Sequence, residues 1–184
     1  MAYDNLMLDL ETLGTAHDAV ITQIGACYFD PTSGAVDENG KFSINVSIND
    51  CLKYGLTVDE GSIKFWFEHP NRSFLDKPVS LARALGEFRK FYRKDTVAAW
   101  SHATFDFVIL LNAYRKFDQK IPIPFRQMRD IRTLVHLADA GKPTEAKKTV
   151  DPKTHDALED CIYQVGYVTE ALNKLVPVTL KENV

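Results

Sequence analysis

The chain has 184 residues, 45% of them hydrophobic and 26% charged, a composition that fits one folded domain over residues 1–184 and excludes disordered and fibrous classes. Its net charge of −3 provides no broad positive field for gripping long duplex nucleic acid, and leaves room only for a substrate held locally or through metal ions. No apolar run approaches the ~20 residues of a membrane-spanning helix, and residues 1–5 carry an acid and no basic stretch, so neither a membrane protein nor a secretory signal is expected. In chain order, residues 5–11 are a short apolar run that turns acidic at its end, and residues 20–29 a longer apolar run. Asp30-Pro31-Thr32-Ser33-Gly34 is a turn. Residues 41–48 alternate, with Phe42, Ile44, Val46 and Ile48 on one face. Three strands with short connections predict an antiparallel meander.

The period then changes. Thr57-Val58-Asp59-Glu60 has the form of a capping box and opens a helix through Ile63, Trp66 and Phe67. Residues 80–92 place Leu81, Leu85, Phe88 and Tyr92 at helical spacing, and residues 97–100 read as a short strand. Residues 105–117 and 133–140 read as helices, and 141–154 as a polar loop. Asp156-Ala157-Leu158-Glu159 is a second capping box, ahead of a helix carrying Ile162, Val165, Val168 and Leu172. Strands first, then alternating helix and strand, predict an α/β domain with a mixed sheet, whose ligand sites favour strand ends and the helix starts facing them. The three cysteines, Cys27, Cys51 and Cys161, are odd in number and lack C-x-x-C spacing; they read as small buried residues in a reducing compartment.

The acids fall in three places. Asp9 and Glu11, two apart on the first strand, share one face. Two like charges ~4 Å apart repel by about 4 kcal/mol at an effective dielectric near 20, so such a pair needs a counter-cation, a raised pKa or water. Asp106 opens a helix directly after a strand, where an acid also favours the helix dipole. His155 falls just outside the last helix, on the loop, and Asp160 one turn inside it. Each feature alone is commonplace; their order along one domain is not.

Leu8-Asp9-Leu10-Glu11-Thr12, Phe105-Asp106 and His155-Asp156-Ala157-Leu158-Glu159-Asp160 resemble the three motifs of the DEDDh 3′–5′ exonucleases. Within that family the chain is most similar to the phage and prophage exonucleases related to phage exonuclease A, through Ile24-Gly25-Ala26, the segment around Phe65-Trp66 and Arg129-Asp130-Ile131-Arg132-Thr133. The resemblance spans residues 4–175. It implies an RNase H-like three-layer fold, with a five-stranded sheet of three antiparallel and then two parallel strands flanked by helices. It also implies a hydrolase that releases nucleoside 5′-monophosphates from the 3′ end of single-stranded or frayed DNA or RNA, in the cytoplasm (a host's, for a phage gene).

By the same resemblance, Asp9, Glu11, Asp106 and Asp160 hold two divalent cations; carboxylates suit Mg²⁺ or Mn²⁺ rather than zinc. Asp9 is the residue that bridges both ions, Glu11 and Asp160 complete the site of the nucleophilic water, and Asp106 acts mainly through bound water. His155 takes the proton from that water, as an imidazole with an ordinary pKa of ~6.5 can near neutrality. Thr12 and Leu13 contact the terminal nucleotide in relatives. Trp66 and Phe105 offer faces for base stacking, with a place in the core as the alternative for Trp66, and Ser101 and His102 could reach a phosphate or sugar. Many members carry Asn where His102 stands, so the contact of that Asn does not carry over. Arg126, Arg129 and Arg132 form a short basic strip, and Lys142, Lys147, Lys148 and Lys153 occupy the loop ahead of His155, either as a solvated run or as a flap over the strand ends. An RNase H-type endonuclease and a catalytically silent nucleic-acid-binding module are the competing readings, and DNA is not distinguished from RNA.

Overall fold

A computed structural model describes residues 2–138 and 155–175. The predicted loop at 141–154, with its four lysines, and the end of the helix predicted to reach residue 140 lie outside the described residues. A five-stranded sheet forms the centre, in the order β3-β2-β1-β4-β5. β1 (Asn5–Thr12), β2 (Ile21–Phe29) and β3 (Val36–Asn45) form the antiparallel meander, while β4 (Ala98–Ser101) and β5 (Met128–Asp130) add in parallel beyond β1.

β1 and β2 are buried along their whole length because both faces of the sheet are covered, which explains their near-continuous apolar runs. Alternation along β1 divides the two layers. Leu6, Leu8 and Leu10 enter the larger core with Ile24, Ala26, Leu81, Leu85, Phe88 and Leu110. Met7 points the other way, into a smaller core with Cys27, Phe29, Trp100, Ile131, Cys161 and Val165. Asp9 and Glu11 continue the Met7 row. The helices are α1 (Ile48–Lys53), α2 (Glu60–Glu68), α3 (Leu81–Phe91), α4 (Asp106–Arg115), α5 (Ile131–Leu137) and α6 (Ala157–Leu175). α6 lies across the face that carries the Met7 row and meets both β1 and β2. The cysteines are all buried and free.

Several boundaries differ from the sequence reading. β3 starts at Val36 and stops at Asn45, so Ile48 opens α1 instead of extending the strand. The Ser47 side chain accepts from Asp50 N, a cap that overrides the alternation, yet Ile48 still packs on the core. The N-cap of α2 is Asp59 and not Thr57: Asp59 Oδ1 accepts from Ser62 N at 2.7 Å, while the Thr57 hydroxyl donates to Asp18. α5 begins at Ile131, two residues early, because Asp130 caps Thr133 N. α4 ends at Arg115, short of Phe117, which packs on the core.

Candidate active site

The parallel pairing of β4 with β1 delivers the acids to one end of the sheet. β4 ends at Ser101, and after four intervening residues the chain enters α4 at Asp106. Asp106 is held across the gap by two amides: Leu10 N donates to Oδ1 at 3.2 Å and His102 N donates to Oδ2 at 2.9 Å. Asp9 accepts from Gln164 Nε2 at 2.7 Å. Two groups of ligand atoms result, each within 4.8 Å of one another: Asp9, His102 and Asp106, and beside them Glu11, His155 and Asp160. The four acids and the histidine singled out in the sequence therefore meet in one place.

Their electrostatics show what this costs without a cation. Burial, followed by repulsion from Asp160, Asp156 and Asp106, pushes the Glu11 carboxyl up to about 9. Burial raises Asp106 to about 7, against the opposing amides of His102 and Leu10 and the charge of Arg132. Asp160 rises to about 6 through burial and Asp156. Asp9 is raised as well, by burial and then by Asp106, Glu11 and Asp160. Four carboxyls that resist ionisation together are a donor set that two hard dications would neutralise, so the residues fit divalent metals with oxygen ligands.

His155 stands two residues before α6 with φ of +43°, the left-handed region that disfavours a side chain. Its carbonyl accepts from Asn71 Nδ2 at 3.2 Å, and its ring meets Phe65 edge-on at 4.7 Å and His69 at 4.5 Å. Burial, and then the nearby His69, lower the His155 pKa below its usual 6.5. For His102, burial and then Arg132 lower it to about 4.

Glu11 and His155 also line a cavity of about 510 Å³ whose other walls include Thr12, Gly14, Phe65, Trp66 and Phe105. Of the predicted substrate contacts, Thr12, Trp66 and Phe105 lie on this cavity. Trp66 is mostly buried, and its indole Nε1 donates to Thr12 O at 2.8 Å, so it braces the strand end as well. Leu13 is half-buried and packs on the larger core. Ser101 is fully enclosed, its hydroxyl without a hydrogen-bond partner among the described residues; contact with a substrate would need its neighbours to move.

Several residues that build the site carry little signal in the sequence. Gln23 accepts from Ala157 N at 2.7 Å and donates to Asp156 at 3.0 Å, clamping the start of α6 to β2. An amide side chain inside an apolar strand was its signal. Gln164 lies one helical turn beyond Asp160, the i,i+4 relation that puts both on one face. Phe65, His69 and Asn71 left no local signal of a contact with His155.

A mixed sheet with two acids on the central strand, a third at the start of the helix after the parallel strand and a fourth on the crossing helix defines a nuclease of the RNase H-like class. Residues 4–172 match the Rv2179c-like 3′–5′ exoribonuclease domain, and the chain belongs to this family of 3′–5′ exonucleases. It is 24% identical to an exodeoxyribonuclease of Enterobacteria phage T4, over 91% of this chain and 88% of that protein. Among solved structures it resembles S. pombe Pop2p in its Mg²⁺- and Mn²⁺-bound form, with a TM-score of 0.60 and 13% identity over 94% of this chain and 84% of that one. E. coli Exonuclease I in complex with a dT13 oligonucleotide matches with a TM-score of 0.61 and 16% identity, over 97% of this chain and 42% of that one. Among the described residues, no helix is long and apolar enough to cross a membrane.

Proposed function

We propose that the chain removes nucleotides one at a time from the 3′ end of single-stranded or frayed nucleic acid, with Asp9, Glu11, Asp106 and Asp160 holding two divalent cations, Mg²⁺ or Mn²⁺. The observation that carries this reading is the side-by-side placement of two ligand groups along β1, with Glu11 and His155 opening onto a cavity large enough for a terminal nucleotide. The Mg²⁺ and Mn²⁺ bound by Pop2p and the oligonucleotide bound by Exonuclease I support it. Bound there, two cations supply the charge that stabilises the attacking and leaving oxygens of an in-line displacement.

The protein's own residues do the rest. Asp9 interacts with all three other acids, so its carboxylate would be shared by the two cations. His155 faces Glu11 and Asp160 and accepts the proton of the attacking water; burial and then His69 lower its pKa, which favours the neutral ring that a base needs. The aromatic faces of Phe105 and Phe65, the braced Thr12–Leu13 segment and the edge of Trp66 hold the terminal nucleotide, and the strand-to-helix turn at His102 approaches its phosphate.

The test is a time course on 5′-labelled single-stranded DNA and RNA of one sequence with Mg²⁺ or Mn²⁺. A ladder descending by single nucleotides, absent in Asp106→Ala, is expected. Cleavage of a circular substrate would assign an endonuclease instead, and saturable binding without cleavage would assign a binding module; either would overturn the reading.

A further inference from the structure

We propose that His102 is a direct nitrogen ligand of the cation held between Asp9 and Asp106, and that it makes this position selective for Mn²⁺ over Mg²⁺. The inference rests on the two-cation reading above and adds a ligand to it.

One ring nitrogen of His102 and one carboxylate oxygen each of Asp9 and Asp106 lie within 4.8 Å of one another, and His102 Nδ1 is 4.0 Å from Asp106 Oδ2. With metal–ligand bonds of about 2.1 Å, a single cation spans donors up to about 4.2 Å apart, so the 4.0 Å pair fits as it stands and the group as a whole needs at most a closing of a few tenths of an ångström. The ring makes no hydrogen bond to any described residue, so a nitrogen lone pair remains available. The side chain is only 24% exposed, and it sits on the short turn between β4 and α4 rather than on a long loop. Its own backbone N–H holds Asp106 Oδ2 at 2.9 Å, so imidazole and carboxylate are presented as one rigid unit. The charged groups facing the ring besides these acids are Arg132 and Asp130, of opposite sign.

The chemistry gives the selectivity. Mg²⁺ demands oxygen ligands and gives up its waters reluctantly, whereas a divalent transition metal accepts imidazole nitrogen. A histidine beside two carboxylates therefore strengthens Mn²⁺ binding and adds little for Mg²⁺. His155, in the neighbouring group, precedes α6 on the loop side and is used as a base.

The test reads the metal and not turnover. Mn²⁺ is titrated into the full chain and followed by electron paramagnetic resonance, with Mg²⁺ as competitor, and ¹⁴N coupling to bound Mn²⁺ is measured by electron spin-echo envelope modulation. The ¹⁴N coupling is expected to persist in His155→Ala and to vanish when His102→Asn is added to it. In His102→Asn alone, the preference for Mn²⁺ over Mg²⁺ at one site is expected to fall about tenfold or more, with Mg²⁺ affinity unchanged. His102→Gln, with circular dichroism for both variants, guards against a folding defect. Unchanged coupling and preference in folded variants would overturn the role of His102 while leaving the two-cation centre intact. A wild-type chain that binds no Mn²⁺ would overturn both.

Discussion

Gly25 of β2 lies against the backbone of Ala157 at the start of α6, so closely that a Cβ at position 25 would stand 2.2 Å from the Ala157 carbonyl carbon. No flexible side chain there can yield; the helix start itself must move. His155 and Asp160 flank Ala157 in sequence, so this contact sets the depth at which the base and the fourth acid reach the site. Gly25→Ala is expected to destabilise the fold by about 1–3 kcal/mol and to lower turnover by more than the loss of folded protein explains. Thermal denaturation alongside kcat on a single-stranded oligonucleotide checks this; wild-type kcat in the folded fraction would contradict it.

Gln164 is expected to govern metal affinity through Asp9. Its Nε2 fixes Asp9 Oδ1 at 2.7 Å, while its own Oε1 has no partner among the described residues. Gln164→Met keeps most of the buried volume and removes the donor, freeing the Asp9 carboxylate to turn. Mn²⁺ affinity should fall about 10–100-fold with little change in Tm for the metal-free protein. Calorimetric titration reads the first and denaturation the second.

The raised carboxyls make the metal-free protein sensitive to alkali. A carboxyl whose folded pKa lies above its unfolded value binds more protons when folded, so its contribution to stability is lost as pH rises through the folded pKa. That loss begins near the unfolded values of 3.8 for Asp106 and 4.5 for Glu11 and runs to their folded values of about 7 and about 9, so Glu11 still carries it between pH 7 and 9. His102 and His155 are shifted the opposite way and contribute stability that is complete once pH exceeds their ordinary 6.5, so they do not mask this window. In chelator, Tm should decline from pH 7 to 9; Mn²⁺ should restore it, most at the alkaline end, and Glu11→Gln should flatten the decline. A chelated wild type with a rising or level Tm would contradict the assignment.

His155→Ala is expected to lower kcat by roughly 10²–10⁴ while metal binding stays nearly intact. The acid limb of the wild-type kcat/KM profile should lie below the usual imidazole value, since burial and His69 both disfavour the protonated ring. Replacing His69 by Gln removes one of those causes, and the acid limb should move to higher pH. A limb that stays in place would separate His69 from the base.

The parts of the molecule legible in the sequence are those governed by local period and spacing. β1 announces itself as an apolar run, and its two acids fall on one face because the period is two. His155 and Asp160 sort onto loop and helix because Asp156 caps α6 through Leu158 N and Glu159 N. β5 leaves no such mark, because three residues, two of them charged, have no period to read. The surroundings of His155 were not legible because the contact with Asn71 spans 84 positions, and nothing local to either segment encodes it. The direction of the His155 pKa shift has no sequence signature for the same reason: it depends on burial and on His69, both products of the fold.

Anomalous diffraction at the manganese edge, on crystals equilibrated with Mn²⁺, tests the four-carboxylate centre most directly. Two peaks about 3.5–4 Å apart are expected, one bounded by Asp9, His102 and Asp106 and the other by Asp9, Glu11 and Asp160. Manganese found only elsewhere on the molecule, with these carboxylates bare in a catalytically active crystal, would contradict it.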